Sequence, residues 1–141
     1  MKEIICTIIS EIATAFIYLV GGCDVALYCL VVAIVLDYIS GLIKAYNTKQ
    51  LSSKVGFKGI LKKVGILLIV MLSVLIDRIT GNVGAIRTLV IYYFVANEGL
   101  SIIENLGEAG LPIPKPLKDA LKVLKKQSGG KGEKRSDSKT S

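Results

Sequence analysis

Acidic side chains stand where so apolar a chain has least use for them: Glu11, Asp37, Glu98, Glu104 and Glu108 lie within or at the end of long hydrophobic stretches. A carboxylate in such a setting can hold a proton, pair with an ammonium on another helix, or face water. Covalent catalysis needs companions that this chain lacks. It has no His, no Gly-rich phosphate loop, no H-E-x-x-H and no nucleophile elbow. Cys6, Cys23 and Cys29 are odd in number and form no CxxC pair, so neither a zinc site nor a disulfide framework is indicated. Cys6 and Cys29 read as small apolar residues, and Cys23 as a residue at the far membrane surface. No enzyme, metal or cofactor is expected.

The spacing of the polar residues groups them. At about 100° per residue, Asn97, Glu98, Ser101, Glu104, Asn105 and Glu108 fall into an arc of roughly 120°. Mid-membrane, a charge facing lipid costs about 2.5–3.5 kcal/mol, so this arc must face protein, water or the headgroups. Glu104 and Glu108 suit pairing with Lys62, Lys63 or the tail near the headgroups; Asn97, Glu98 and Ser101 suit a buried helix contact or a wet lumen. Thr7, Ser10, Glu11 and Thr14 form a similar stripe near the N-terminus. Ala26, Cys29, Ala33 and Gly41 make a small-residue seam, with Asp37 in its middle, along which two helices could approach closely.

The elements that must position these residues are apolar helices. Segments 4–20, 25–43, 64–79 and 86–105 are each near the roughly 20 residues that cross about 30 Å of hydrocarbon. The chain has 141 residues, 52% hydrophobic, with a formal net charge of +7. Lys44, Lys49, Lys54, Lys58, Lys62 and Lys63 form a basic loop between the second and third segments without a single acid, and such loops stay cytoplasmic. The Lys-rich C-terminal segment obeys the same rule. Gly21, Gly22, Cys23 and Asp24 suit a tight reversal on the opposite side. The third segment, apolar nearly all round, reads as the lipid-facing helix.

The expected fold is therefore an all-α membrane protein with four transmembrane helices, short amphipathic cytoplasmic helices, a disordered basic tail, and both termini in the cytoplasm. Thr7, Ser10, Glu11 and Thr14 make the first span the most polar, and three spans with an external N-terminus is the alternative. Ala13-Thr14-Ala15 imitates a signal cleavage site, but Glu11 interrupts the apolar region and a second span follows at once, so the segment reads as retained. By domain, residues 1–109 form the transmembrane unit, 110–126 a Pro-rich exit and basic amphipathic helix, and 127–141 the tail. Leu51, Val55, Ile60, Leu61 and Val64 recur near helical spacing and suit a helix lying along the headgroups. The lysines lack the interleaved aromatics of a base-stacking surface, so anionic lipid, not nucleic acid, is their expected partner.

Leu36-Asp37-Tyr38-Ile39-Ser40-Gly41, the run from Leu51 to Lys63, and the run from Ala96 to Asn105 through Pro112 and Pro114 resemble the phage lysis and toxin-secretion holins of Gram-positive bacteria. The similarity extends from about Val31 to Leu124. It implies a protein that accumulates in the bacterial cytoplasmic membrane, homo-oligomerises and opens lesions for an endolysin or a large toxin. It offers no catalytic residues. Two other functions fit the same residues: a small oligomeric ion channel or transporter subunit, and a membrane scaffold that recruits a partner through its basic tail.

Overall fold

The computed structural model describes residues 1–129, and among them every regular element is an α-helix. In chain order these are α1 (Lys2–Leu19), α2 (Val25–Asn47), α3 (Ser53–Thr80), α4 (Ala85–Glu108) and α5 (Lys115–Gln127). Of the expected disordered tail, residues 130–141 lie outside the described residues.

Each helix boundary has a local cause. Asp24 caps α2, its side chain accepting from Leu27 N at 2.9 Å. Ser52 caps α3 through Val55 N at 3.3 Å, and Gly81, at φ 71, ends α3 in the left-handed conformation that glycine adopts without steric cost. Asp77, in the last turn of α3, accepts from Ile86 N at 3.0 Å and Arg87 N at 2.8 Å. One carboxylate thus satisfies two of the orphan donors of α4 and closes the α3–α4 reversal. Pro114 and Pro116 set the start of α5.

Helices α2, α3 and α4 form the bundle, and α4 is its hub, packed against α2, α3 and α5. Leu27, Leu30, Ile66, Val70 and Ile91 meet in its apolar core, joined by Val20 from just beyond α1. The outward faces are almost wholly apolar, with Val32, Val35, Leu36, Ile39, Leu68, Ile69, Leu72 and Leu75 exposed. A water-soluble protein of this size does not leave such a belt bare.

Among the described residues α2, α3 and α4 are long and apolar enough to cross a membrane. The expected fourth span, α1, is not among them. Its 18 residues rise only about 27 Å and include Lys2, Glu3 and Glu11. It buries none of its side chains and is held by its C-terminal end alone. There Arg78 donates to Tyr18 O at 2.7 Å and lies 4.0 Å from the centre of the Tyr18 ring.

The expected basic loop is mostly helix. Only Lys49 lies in the link between α2 and α3, at φ 56; Lys44 belongs to α2, and Lys54, Lys58, Lys62 and Lys63 belong to α3. The reason is packing: Gly56 sits against the Tyr38 hydroxyl and Gly59 against its ring, where an added Cβ would come within 3.3 and 3.4 Å respectively. The amphipathic segment therefore continues in line with the third span instead of lying along the headgroups, giving one helix of 28 residues. Nor is α3 apolar all round. Lys63, Ile66, Val70, Ser73, Val74 and Asp77 make an inward face.

Gly21 gives a sharp test of the link between α1 and α2. It has φ +81, and a Cβ there would lie 2.8 Å from the Arg87 side chain and 2.9 Å from Val74. Gly21→Ala should lower the unfolding midpoint in detergent by an amount corresponding to about 1–3 kcal/mol, whereas Gly22→Ala, with open space around it, should show only the backbone strain of its φ.

Candidate functional site

The bundle places a small charged cluster inside itself. Asp37 of α2, Lys63 of α3 and Glu98 of α4 meet, with Lys63 Nζ donating to Asp37 Oδ2 and to Glu98 Oε2. Glu98 is 0% exposed, Asp37 7% and Lys63 9%. Asn105 extends the network, donating through Nδ2 to Ser40 Oγ at 3.1 Å and Asp37 Oδ1 at 3.4 Å. Ser40 in turn donates to the Asp37 carbonyl at 2.9 Å. Glu98 Oε1 is buried without a hydrogen-bond partner among the described residues.

Each helix reaches the cluster by its own periodicity. On α3, Lys63 continues the inward row of Ile66, Val70, Ser73 and Asp77 at helical steps of three and four. On α2 the buried face runs through Leu27, Leu30, Ala33, Asp37 and Ser40. On α4 it runs through Ile91, Ala96, Glu98 and Ile103. One ammonium serving carboxylates from two other helices binds all three apolar helices together.

A second polar clip holds the opposite end. Arg87 donates through Nη1 to Asp24 Oδ2 at 2.7 Å, through Nε to Val20 O at 2.6 Å and through Nη2 to Gly22 O at 3.0 Å. It thereby ties the start of α4 to the link between α1 and α2. The hydrogen bond from Arg87 holds the Asp24 carboxyl below the 3.8 of an ordinary aspartate, outweighing the opposing effect of its partial burial.

The other polar candidates divide. Asn97 accepts from Lys125 of α5 at 3.1 Å. Glu108 pairs with Lys44 at 2.8 Å, matching the expected headgroup-level pairing in kind but with a different lysine. Ser101 is half-buried, while Glu104 and Glu11 are exposed. Of the expected packing seam, Ala33 is buried, Ala26 and Gly41 are half-buried, and Cys29 faces outward. The larger Leu27 and Leu30 occupy the core, which rotates the buried face away from Cys29. Lys63 is the residue that sequence reasoning misplaced. Its position at the foot of the Ile66 to Asp77 row was the signal available.

Comparison with known proteins fits this bundle of membrane-spanning helices. The sequence profile described as the bacteriophage holin family matches residues 14–126, most of the chain. This chain belongs to the bacteriophage holin family. Membership agrees with a multi-pass protein of the cytoplasmic membrane. A probable holin of Bacillus phage phi105 is 36% identical over 100 residues, covering 71% of this chain and 74% of that protein. An uncharacterized 14.9 kDa protein of Clostridium perfringens is 43% identical over 117 residues, covering 82% and 89% respectively. An uncharacterized protein of Listeria innocua is 43% identical over 119 residues, covering 84% and 85%. No solved structure matches this family member.

Two measurements follow. Lys63→Met leaves two buried carboxylates without their counter-ion and should cost about 3–5 kcal/mol in detergent unfolding. The triple variant Asp37→Asn, Lys63→Met, Glu98→Gln removes every charge and should recover much of that loss. If Lys63→Met is as stable as the parent, the cluster does not hold the bundle. For Asp24, a lowered folded pKa means that its stabilising effect is fully present above pH 3.8 and is lost as the pH falls through the lower folded value. Asp24→Asn should abolish that acid limb of the stability curve.

Proposed function

We propose that the protein is a holin that oligomerises in the cytoplasmic membrane and opens large nonselective lesions through which an endolysin reaches the cell wall. Family membership supports the role, together with three apolar helices long enough to span. The observation that carries self-association is α1. A helix with an apolar face of Ile4, Ile5, Ile8, Ile12 and Phe16, all exposed, and a polar stripe of Thr7, Ser10, Glu11 and Thr14 has nothing among the described residues to bury either. Lipid can cover the first. Only protein or water can cover the second at an acceptable cost.

The reading extends to topology. Lys44, Lys54, Lys58 and Lys62 gather at the end of the bundle where α2 stops and α3 begins. By the positive-inside rule that end is cytoplasmic, and the Arg87–Asp24 clip is external. In this reading α1 becomes the fourth span once a second copy shields Glu11, which puts the N-terminus in the cytoplasm as well. α4 ends on that same side, which places the Pro-rich exit toward α5 there as well.

Before α1 inserts, copies remain as compact bundles whose charges are internally paired. As they accumulate, association through α1 becomes favourable, and the polar stripes then line water instead of lipid. The Asp37–Lys63–Glu98 cluster keeps each bundle intact while the assembly rearranges around it. The lysines at the end of α2 and the start of α3 act here as an anchor on anionic headgroups, not as reactive sites.

Induced expression alongside a cytoplasmic wall hydrolase should produce abrupt lysis and release of a folded cytoplasmic reporter, whereas the hydrolase alone should not. Glu11→Leu removes the about 2.5–3.5 kcal/mol reason for α1 to seek cover, so it should delay lysis and reduce the yield of cross-linked oligomer. Cells that remain tight to the reporter at full accumulation of the wild-type protein would overturn the reading.

A further inference from the structure

α5 runs back along α4. Ile113 lies 3.7 Å from where a Cβ of Gly107 would be, and Leu121 fills the space over Gly99, 2.8 Å from its would-be Cβ. Lys125 donates to Asn97 Oδ1 at 3.1 Å, and its Nζ stands 5.7 Å from the centre of the Tyr93 ring. As the α5 residue number rises, its partner on α4 falls from Gly107 to Tyr93, so the two helices are antiparallel. Glycine at position 99 leaves room for the Leu121 side chain against the α4 backbone.

This arrangement fixes a depth. Asn97 lies about 18 Å along α4 from its Ala85 end, well inside the roughly 30 Å of hydrocarbon that α4 is long enough to cross. Lys118, Lys122 and Lys126 are exposed and recur every four residues, forming one stripe on α5. Ammonium groups at that level cannot face lipid tails without a charge of about 2.5–3.5 kcal/mol each at the deepest positions. Meanwhile most of the α4 polar arc is already engaged: Glu98 with Lys63, Asn105 with Asp37 and Ser40, Asn97 with Lys125 and Glu108 with Lys44, which leaves Glu104 as its exposed acid.

We infer that α5, docked on α4, lines the aqueous lumen formed by copies of this chain, with Lys118, Lys122 and Lys126 as its cationic wall. The inference rests on the holin reading and moves the water-facing surface from the α4 arc to α5. A wall of ammonium groups draws small anions and holds back small cations, over a screening length of about 30 Å at 0.01 M salt.

The test uses the full chain with Cys6→Ser, Cys23→Ser and Cys29→Ser, reconstituted in bilayers of phosphatidylglycerol and phosphatidylcholine. Gly99→Cys with Leu121→Cys should form an intramolecular disulfide on mild oxidation, since each thiol takes the place of the other's steric neighbour. Conductance under a salt gradient near 0.01 M should show a reversal potential on the anion side. Lys118→Glu, Lys122→Glu and Lys126→Glu together should move it to the cation side, and the corresponding Gln triple should bring it close to zero. These residues are exposed, so neither triple should impair folding. An α5 that leaves α4 to lie on the headgroups would fail to form the disulfide and would overturn the inference, as would a reversal potential indifferent to the charge changes. Bilayers that never conduct with the parent protein would instead overturn the holin reading itself, whatever the disulfide shows.

Discussion

A single ammonium, that of Lys63, decides how the spans meet. Burying a carboxylate in a bilayer is tolerable only when it is neutralised or paired, and α2 and α4 each bring one to the same level. With Lys63 between them, the three helices acquire one register. A shift of α3 by one residue would turn Lys63 toward lipid and strand both acids. The cluster therefore fixes alignment more than it adds net stability, as its replacement by a neutral set would reveal.

The bundle is clipped twice, at levels about a dozen residues apart along α4. Arg87 gathers the reversal between α1 and α2, taking the Val20 and Gly22 carbonyls together with the Asp24 carboxylate. The Lys63 cluster gathers the opposite half. Between them lies a dry core of Leu30, Val70 and Ile91. A body so fixed can move as a unit, which leaves α1, held near its C-terminal end among the described residues, as the element free to change partners.

Much of this was legible in the residues. The spans of α2 and α4, the reversal at Gly21 and Gly22, the proline-marked start of α5 and the inward placing of Asp37 and Glu98 all followed from hydropathy and helical spacing. What did not follow was anything set by the other helices. Lys63 reads as one more lysine in a basic run until Asp37 and Glu98 are brought to it. The early start of α3 depends on Tyr38 packing over Gly56 and Gly59, a contact between elements that no single segment encodes. The first segment is apolar enough to suggest a span, yet it carries Lys2, Glu3 and Glu11 and buries no side chain among the described residues.

The order in which the cluster's charges occur along the chain has a bearing on biogenesis. A nascent protein leaving the ribosome presents Asp37 first, then Lys63, and only later Glu98. The first two can neutralise one another as α2 and α3 leave the translocon side by side, so neither ion need enter the lipid alone. Glu98 then arrives at an ammonium already in place. Were the lysine on the last of the three helices, both acids would have to wait uncompensated in the bilayer for the chain to be finished.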